Sequence, residues 1–189
     1  MTMTLPIQSD RAAVSERKVH LLQGQFEVSD APEVMFTTTL GSCVACCLHD
    51  PIRGIGGMNH FLLPHGEGAS GSEARRYGAY AIEVLINGLL RKGADRRSLE
   101  CRLFGGARIS DRLPDIGGQN ARFARDYLEH EGVRVMLRGS VGGRQARRIQ
   151  FWPVSGRARQ CLLAETTIFN SEAPTKPSVE SSGSVEVFR

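Results

Sequence analysis

Residues 40–47 read LGSCVACC, a Gly-Ser pair directly before three cysteines in five positions. Thiols this crowded offer three chemistries: a C-x-x-C redox couple from Cys43 and Cys46, half of a metal site, or one reactive thiol beside two packed neighbours. A thioredoxin-type couple sits at a helix start, where the dipole lowers the thiol pKa. Residues 43–49 instead read as a strand running into Asp50-Pro51, and strand positions i and i+3 point to opposite faces. Cys43 and Cys46 are then divided by the backbone. Structural zinc usually needs a second spaced pair. Only His49, His60 and His65 are at hand, so no metal site is expected. The third chemistry needs a base within hydrogen-bond reach of the thiol and a further group that orients the base.

The segment CVACCLHDPIRGIGGMNHFLLP (43–64) can supply the base. Its two apolar runs flank Asp-Pro and Gly, which predicts a hairpin. A turn centred between Pro51 and Ile52 sets Cys43 directly opposite His60, with Cβ atoms roughly 4.5–5.5 Å apart. Gly41, and Gly56-Gly57 on the facing arm, leave room for a substrate backbone. Backbone N–H groups around Ser42 and Cys43 can hold an oxyanion. The orienting group is open among Thr37, Thr38, Thr39 and Asn59. Even spacing favours Thr37 or Thr39 on the Cys43 face, although Gly41 is a place where parity can break. Cys46, Cys47, Cys101 and Cys161 read as core packing. His20, His49, His65 and His130 read as surface or turn residues.

These side chains need elements to hold them. VHLLQGQFEVSD (19–30) alternates enough for one or two short strands, and VMFTTTLG (34–41) is β-branched and aromatic. A Gly- and Ser-rich loop at 64–76 leads into a helix with Ser72 as N-cap and Gly93 as its closing residue. Ile82, Leu85, Ile86 and Leu89 give that helix its apolar stripe. SLECRLFGGA (98–107) alternates, with Leu99, Cys101 and Leu103 inward. A second helix covers about 117–131, VRVMLR (133–138) reads as a strand, and a second hairpin turns at Ser155-Gly156. Strands with two helices inserted among them predict an α+β fold with mixed or antiparallel sheets.

The chain has 189 residues and a net charge of +4, from 24 basic and 20 acidic side chains. That is enough length for one sizeable domain, and the charge does not demand nucleic acid. The basic stretch at 138–150 is either a solvated strand edge or a surface for an acidic partner. No apolar run spans a bilayer, and the first residues lack the apolar core of a secretory signal. A cytoplasmic protein with reduced thiols is expected, and five unevenly spaced cysteines do not suggest a disulfide framework. Residues 1–16 read as a flexible arm and 17–165 as the domain. Residues 166–189, rich in Ser, Pro and Glu, read as a disordered tail.

The ordered string TTTLGSCVACCLHDP…GGMNHFLLP resembles the signature of CheD, the chemoreceptor glutamine deamidases of bacterial chemotaxis. LFGGA (103–107), IGGQN (116–120) and VGG…R (141–147) extend the likeness over about residues 17–163. The resemblance implies a Cys-His-Thr constellation. Its cysteine follows Gly-Ser and maps to Cys43, its histidine precedes Phe-Leu-Leu-Pro and maps to His60, and its threonine, six residues before the cysteine, maps to Thr37. It implies an α+β sandwich with flanking helices, similar to deamidating toxins of the cytotoxic necrotising factor type. It further implies hydrolysis of glutamine amides on the cytoplasmic helices of methyl-accepting chemotaxis receptors, without a cofactor, and a CheC-type phosphatase as a second partner. Some members also cleave glutamyl methyl esters. The chain departs from the family at Ala146-Arg147-Arg148, at Arg108, and in the tail, none of which touches the three residues.

Overall fold

Alternation along the strands sorts apolar side chains onto two faces, and the fold has a core for each. The structure is a computed structural model, which describes residues 15–63, 71–111, 114–136 and 139–164, and the backbone of 185–188. The strands are β1 Arg17–His20, β2 Phe26–Ser29, β3 Val34–Leu40, β4 Val44–Asp50, β5 Ile55–Asn59 and β6 Glu100–Gly105. They continue as β7 Arg134–Val135, β8 Ser140–Val141, β9 Arg147–Trp152, β10 Arg157–Leu162 and β11 Val185–Phe188. The helices are α1 Gly71–Arg91 and α2 Ile116–His130. One sheet runs β1-β3-β9-β10-β11. The other runs β2-β5-β4-β6-β7, with β8 also on β6.

The inter-sheet core joins Phe36, Leu40, Ile149 and Phe151 of the first sheet to Ala45, Cys47, Met58 and Phe104 of the second. The other core lies between the second sheet and the helices, and holds Val44, Cys46, Leu48, Ile82, Leu85 and Leu128. β4 feeds both cores. That is why VACCL is apolar without a break, as a strand buried on both faces must be. The expected α+β class with mixed sheets and flanking helices is present, as three layers. β1–β3, β6–β7 and β6–β8 pair parallel, while the other ladders are antiparallel.

Several expectations need correction. α1 begins at Gly71, so Ser72 lies inside its first turn. Its C-terminus is as read: Gly93, at φ 104, donates to Leu90 O, and Ala94 to Leu89 O, the paired bonds of a Schellman stop. The strand read at 133–138 is two paired residues, Arg134 and Val135. Within the basic stretch, Arg147 is neither solvated nor free for a partner. It is buried and donates to the Ser140 carbonyl and hydroxyl. Residue 16 belongs to the fold, because Glu16 accepts from Trp152 Nε1 at 2.8 Å, while 1–14 lie outside the described residues. The tail is not disordered throughout: Val185–Phe188 pairs antiparallel with β10. The loop read at 64–76 lies outside the described residues up to 70.

Candidate active site

The chain leaves the first sheet at Leu40 and enters the second at Val44, so residues 41–43 bridge the two. Carbonyl bonds pin the bridge. Gly41 O accepts from Ala107 N (2.9 Å), Ser42 O from Asn120 Nδ2 (2.9 Å), and Cys43 O from Gly106 N (2.7 Å). The C=O and N–H of a trans peptide point in opposite directions. The Ser42 and Cys43 N–H groups therefore face away from α2 and the end of β6. The pinning requires Gly105: its φ is 100, and a Cβ there would lie 2.1 Å from Cys43 O.

β4 and β5 do form the expected hairpin, but its register differs by two. Cys47 pairs with Met58 and Val44 with Phe61, so Ala45 stands opposite His60. The cause is the turn. It holds four residues, 51–54, with Gly54 at φ 64 donating to Asp50 O, and Asp50 Oδ1 accepting from Ile52 N and Arg53 N. A shift of two preserves the face. Cys43 is thus a diagonal neighbour of His60 on the inter-sheet side, without a hydrogen bond between them among the described residues. Cys46 packs on the opposite face, so the C-x-x-C cannot close as a disulfide. His49, at the far end of β4, hydrogen-bonds Val154 O at 3.0 Å, and His65 lies outside the described residues.

Thr37, expected to hold the imidazole, does not. Its hydroxyl donates to Ile149 O at 2.8 Å, and its own carbonyl accepts from Leu21 N at 2.9 Å. The hydroxyl on the ring is that of Thr38, 2.8 Å from His60 Nδ1 and 2.8 Å from Leu21 O. β3 turns its even-numbered residues Val34, Phe36, Thr38 and Leu40 inward, and Thr38 is only 1% exposed. The odd–even rule that favoured Thr37 or Thr39 fails because β3 and β4 lie in different sheets. The alternation of Phe36 and Leu40 around Thr38 was the signal available in the sequence. Asn59 serves elsewhere, accepting from Cys46 N and donating to Ala81 O.

Burial lowers the His60 pKa from its ordinary 6.5. Contact with the Leu21 carbonyl works against this, and His20 adds a smaller lowering push. Burial raises the Cys43 thiol, with its own backbone N–H working the other way. Both shifts favour a neutral resting pair over thiolate and imidazolium. The Cys43 thiol donates to Gln23 Oε1 at 3.6 Å. His60 Nε2 is buried and has no hydrogen-bond partner among the described residues. A groove of about 610 Å³ over β1, β3 and β9 reaches His60 and Gln23, with Lys18, His20 and Arg148 along it. That volume suits a ligand site.

The family model described as CheD chemotactic sensory transduction matches residues 62–160. A probable chemoreceptor glutamine deamidase CheD of Caulobacter sp. (strain K31) is 51% identical over 178 residues, covering 90% of this chain and 93% of that one. The chain belongs to the CheD family. A protein of the same name from Sinorhizobium medicae (strain WSM419) is 48% identical, covering 91% and 96%. The family-model match begins after His60, but an aligned span of 90% of the chain cannot avoid residues 43–60. Two solved structures share a slighter likeness. Bacillus licheniformis hypothetical protein YfiH has TM-score 0.38 and 13% identity, covering 66% of this chain and 60% of its own. Neisseria meningitidis protein NMB0706 has TM-score 0.42 and 14% identity, covering 68% and 63%. Likeness at that level carries no argument.

Within this CheD chain, sequence reading gave no role to Asn120 or Gln23. Asn120 is fully buried. It accepts from Leu63 N at 3.1 Å and donates to Ser42 O, so one amide ties the 41–43 bridge to the chain just past His60. The IGGQN motif flagged its position without its task.

Proposed function

We propose that this chain, a chemoreceptor glutamine deamidase by family, works through Cys43 as nucleophile and His60 Nε2 as base, with Thr38 as the group that orients the ring. The observation that carries the reading is the Thr38 hydroxyl, set 2.8 Å from both His60 Nδ1 and Leu21 O. The Thr38 hydroxyl has one proton. Donated to Leu21 O, it leaves the hydroxyl oxygen as acceptor for Nδ1–H. Nε2 then carries the bare lone pair on the side chain that shares a face with Cys43.

Nε2 takes the thiol proton as Sγ attacks the amide carbon of a glutamine side chain. The new C–S bond forms while the carbonyl electrons move to oxygen, which the Ser42 and Cys43 N–H groups receive. The C–N bond breaks, and His60 returns its proton to the departing ammonia. Water, deprotonated by the same nitrogen, attacks the thioester and releases glutamate and the free thiol. A neutral amide on the receptor helix becomes a carboxylate. Glutamyl methyl esters fit the same attack, with methanol leaving.

The receptor's cytoplasmic helices as substrate place the reaction in the cytoplasm, where reduced thiols keep Cys43 competent. Kinship with deamidating toxins of the cytotoxic necrotising factor type, which the family resemblance implies, is part of the same proposal. A CheC-type phosphatase as a further partner is a separate proposal, and binding of it should survive Cys43→Ala. The test of the enzyme is ammonia release from a receptor cytoplasmic fragment. Cys43→Ala should abolish it and His60→Ala should nearly do so. Cys46→Ala and Cys47→Ala should lower stability and leave the chemistry intact; full activity in Cys43→Ala refutes the assignment.

A further inference from the structure

The turn at residues 21–25 is bonded to both halves of the site. Leu21 N donates to Thr37 O, and Leu21 O accepts from Thr38 Oγ1. Gly24 N donates to His60 O at 2.7 Å, and His60 N to Gln25 O at 3.0 Å. The turn closes on itself through Gln25 N to Leu22 O and Leu22 N to Gln25 Oε1, with Gly24 at φ 86. So short a segment, tied to the base and to the strand that orients it, has little freedom. At its tip it carries Gln23, whose side-chain carbonyl accepts from the Cys43 thiol.

We propose that Gln23 is a further catalytic residue, supplying the side-chain donor of the oxyanion hole. This rests on the thiol mechanism above. In the resting state the neutral thiol donates, so the carboxamide turns its oxygen to sulfur. When negative charge develops at sulfur and then at the substrate oxygen, that orientation is repelled. The terminal torsion of Gln is broad and roughly two-fold, so a half-turn brings Nε2–H₂ to the same place. The amide thus accepts from the resting thiol and donates to the charged intermediate. It joins the Ser42 and Cys43 N–H groups as a donor that comes from a different segment of the chain. No proton leaves Gln23, and no bond to it forms or breaks.

The test compares Gln23→Ala and Gln23→Glu in the full chain, on a receptor cytoplasmic fragment, by ammonia release. Gln23→Glu keeps the shape and replaces the donor with a carboxylate, so a structural role would tolerate it. Both variants should lose about a hundredfold in kcat with KM within about threefold, the pattern of an interaction made only in the transition state. Gln23 is exposed, so thermal melting should stay at the wild-type value in both. The proposal is overturned if wild type is active and Gln23→Glu keeps kcat within about threefold. It is also overturned if the peptide carrying Gln23 gains one dalton in wild type but not in Cys43→Ala, since Gln23 is then a substrate of its own thiol. An inactive wild type removes the mechanism and this role together; an active wild type with unaffected variants removes this role alone.

Discussion

Thr38 has one hydroxyl proton, and where it goes decides what His60 can do. With Leu21 O as its acceptor, the hydroxyl oxygen is placed to accept from Nδ1–H, the tautomer the proposal uses, in which Nε2 is basic. Thr38→Val should therefore cut ammonia release about tenfold to a hundredfold, while Thr37→Val, whose hydroxyl bonds Ile149 O, should stay within a few-fold. The pKa directions give a second residue-scale prediction. His60 must be neutral to act, and burial holds its pKa below the ordinary value. The acid limb of kcat/KM should lie below pH 6.5, with the rate near its plateau at neutrality. The thiol is raised, so iodoacetamide labelling of Cys43 without substrate should be slow at neutral pH and rise on the alkaline side. A thiolate–imidazolium pair would give fast labelling at low pH instead. Gly-Ser-Cys and the later His could be proposed as a pair from sequence because a hairpin sets them on one face. The threonine was not legible, since three stand in a row and only the inward face of β3 separates them.

At the level of elements, the site depends on a bridge between sheets and a turn between strands. The sequence showed that residues 43–60 fold as a hairpin and that Cys43 and Cys46 face apart, since both follow from the period of two. The register was not legible. It is set by how many residues the turn holds, and the Gly54 conformation makes that four. Parity across residues 41–43 was equally hidden, because a chain that changes sheets resets it. The bridge itself makes a prediction. Asn120→Ala leaves Ser42 O and Leu63 N without their partner, so it should cost about 1–3 kcal/mol in urea denaturation, and lower kcat as the bridge loosens. Gly105→Ala should be at least as costly, because the left-handed backbone and the approach to Cys43 O both exclude a Cβ.

Across the whole molecule, two separate histidines have pKa values lowered by burial, the half-buried His49 and the buried His60. For a histidine whose folded pKa lies below its unfolded value, the unfolded state binds more protons between the two. The stability this contributes is present above the unfolded pKa and is lost as pH falls through the window beneath 6.5. Acidification from neutrality should lower the melting temperature, with part of the loss removed in His49→Gln. The α+β class with mixed sheets was legible from strand and helix order; the layering was not, and only the family resemblance implied it. Nor was the end of the tail: Val185–Phe188 forms an edge strand although the Ser- and Pro-rich stretch before it reads as unstructured. The proposed mechanism turns on the Cys43 sulfur, and a direct measurement addresses it. Wild type and Cys43→Ala are incubated with a receptor cytoplasmic fragment, and the receptor peptides are read by mass spectrometry. The account predicts glutamine-to-glutamate gains of one dalton with wild type and none with Cys43→Ala; equal gains with both, or cleaved receptor chains in their place, would contradict it.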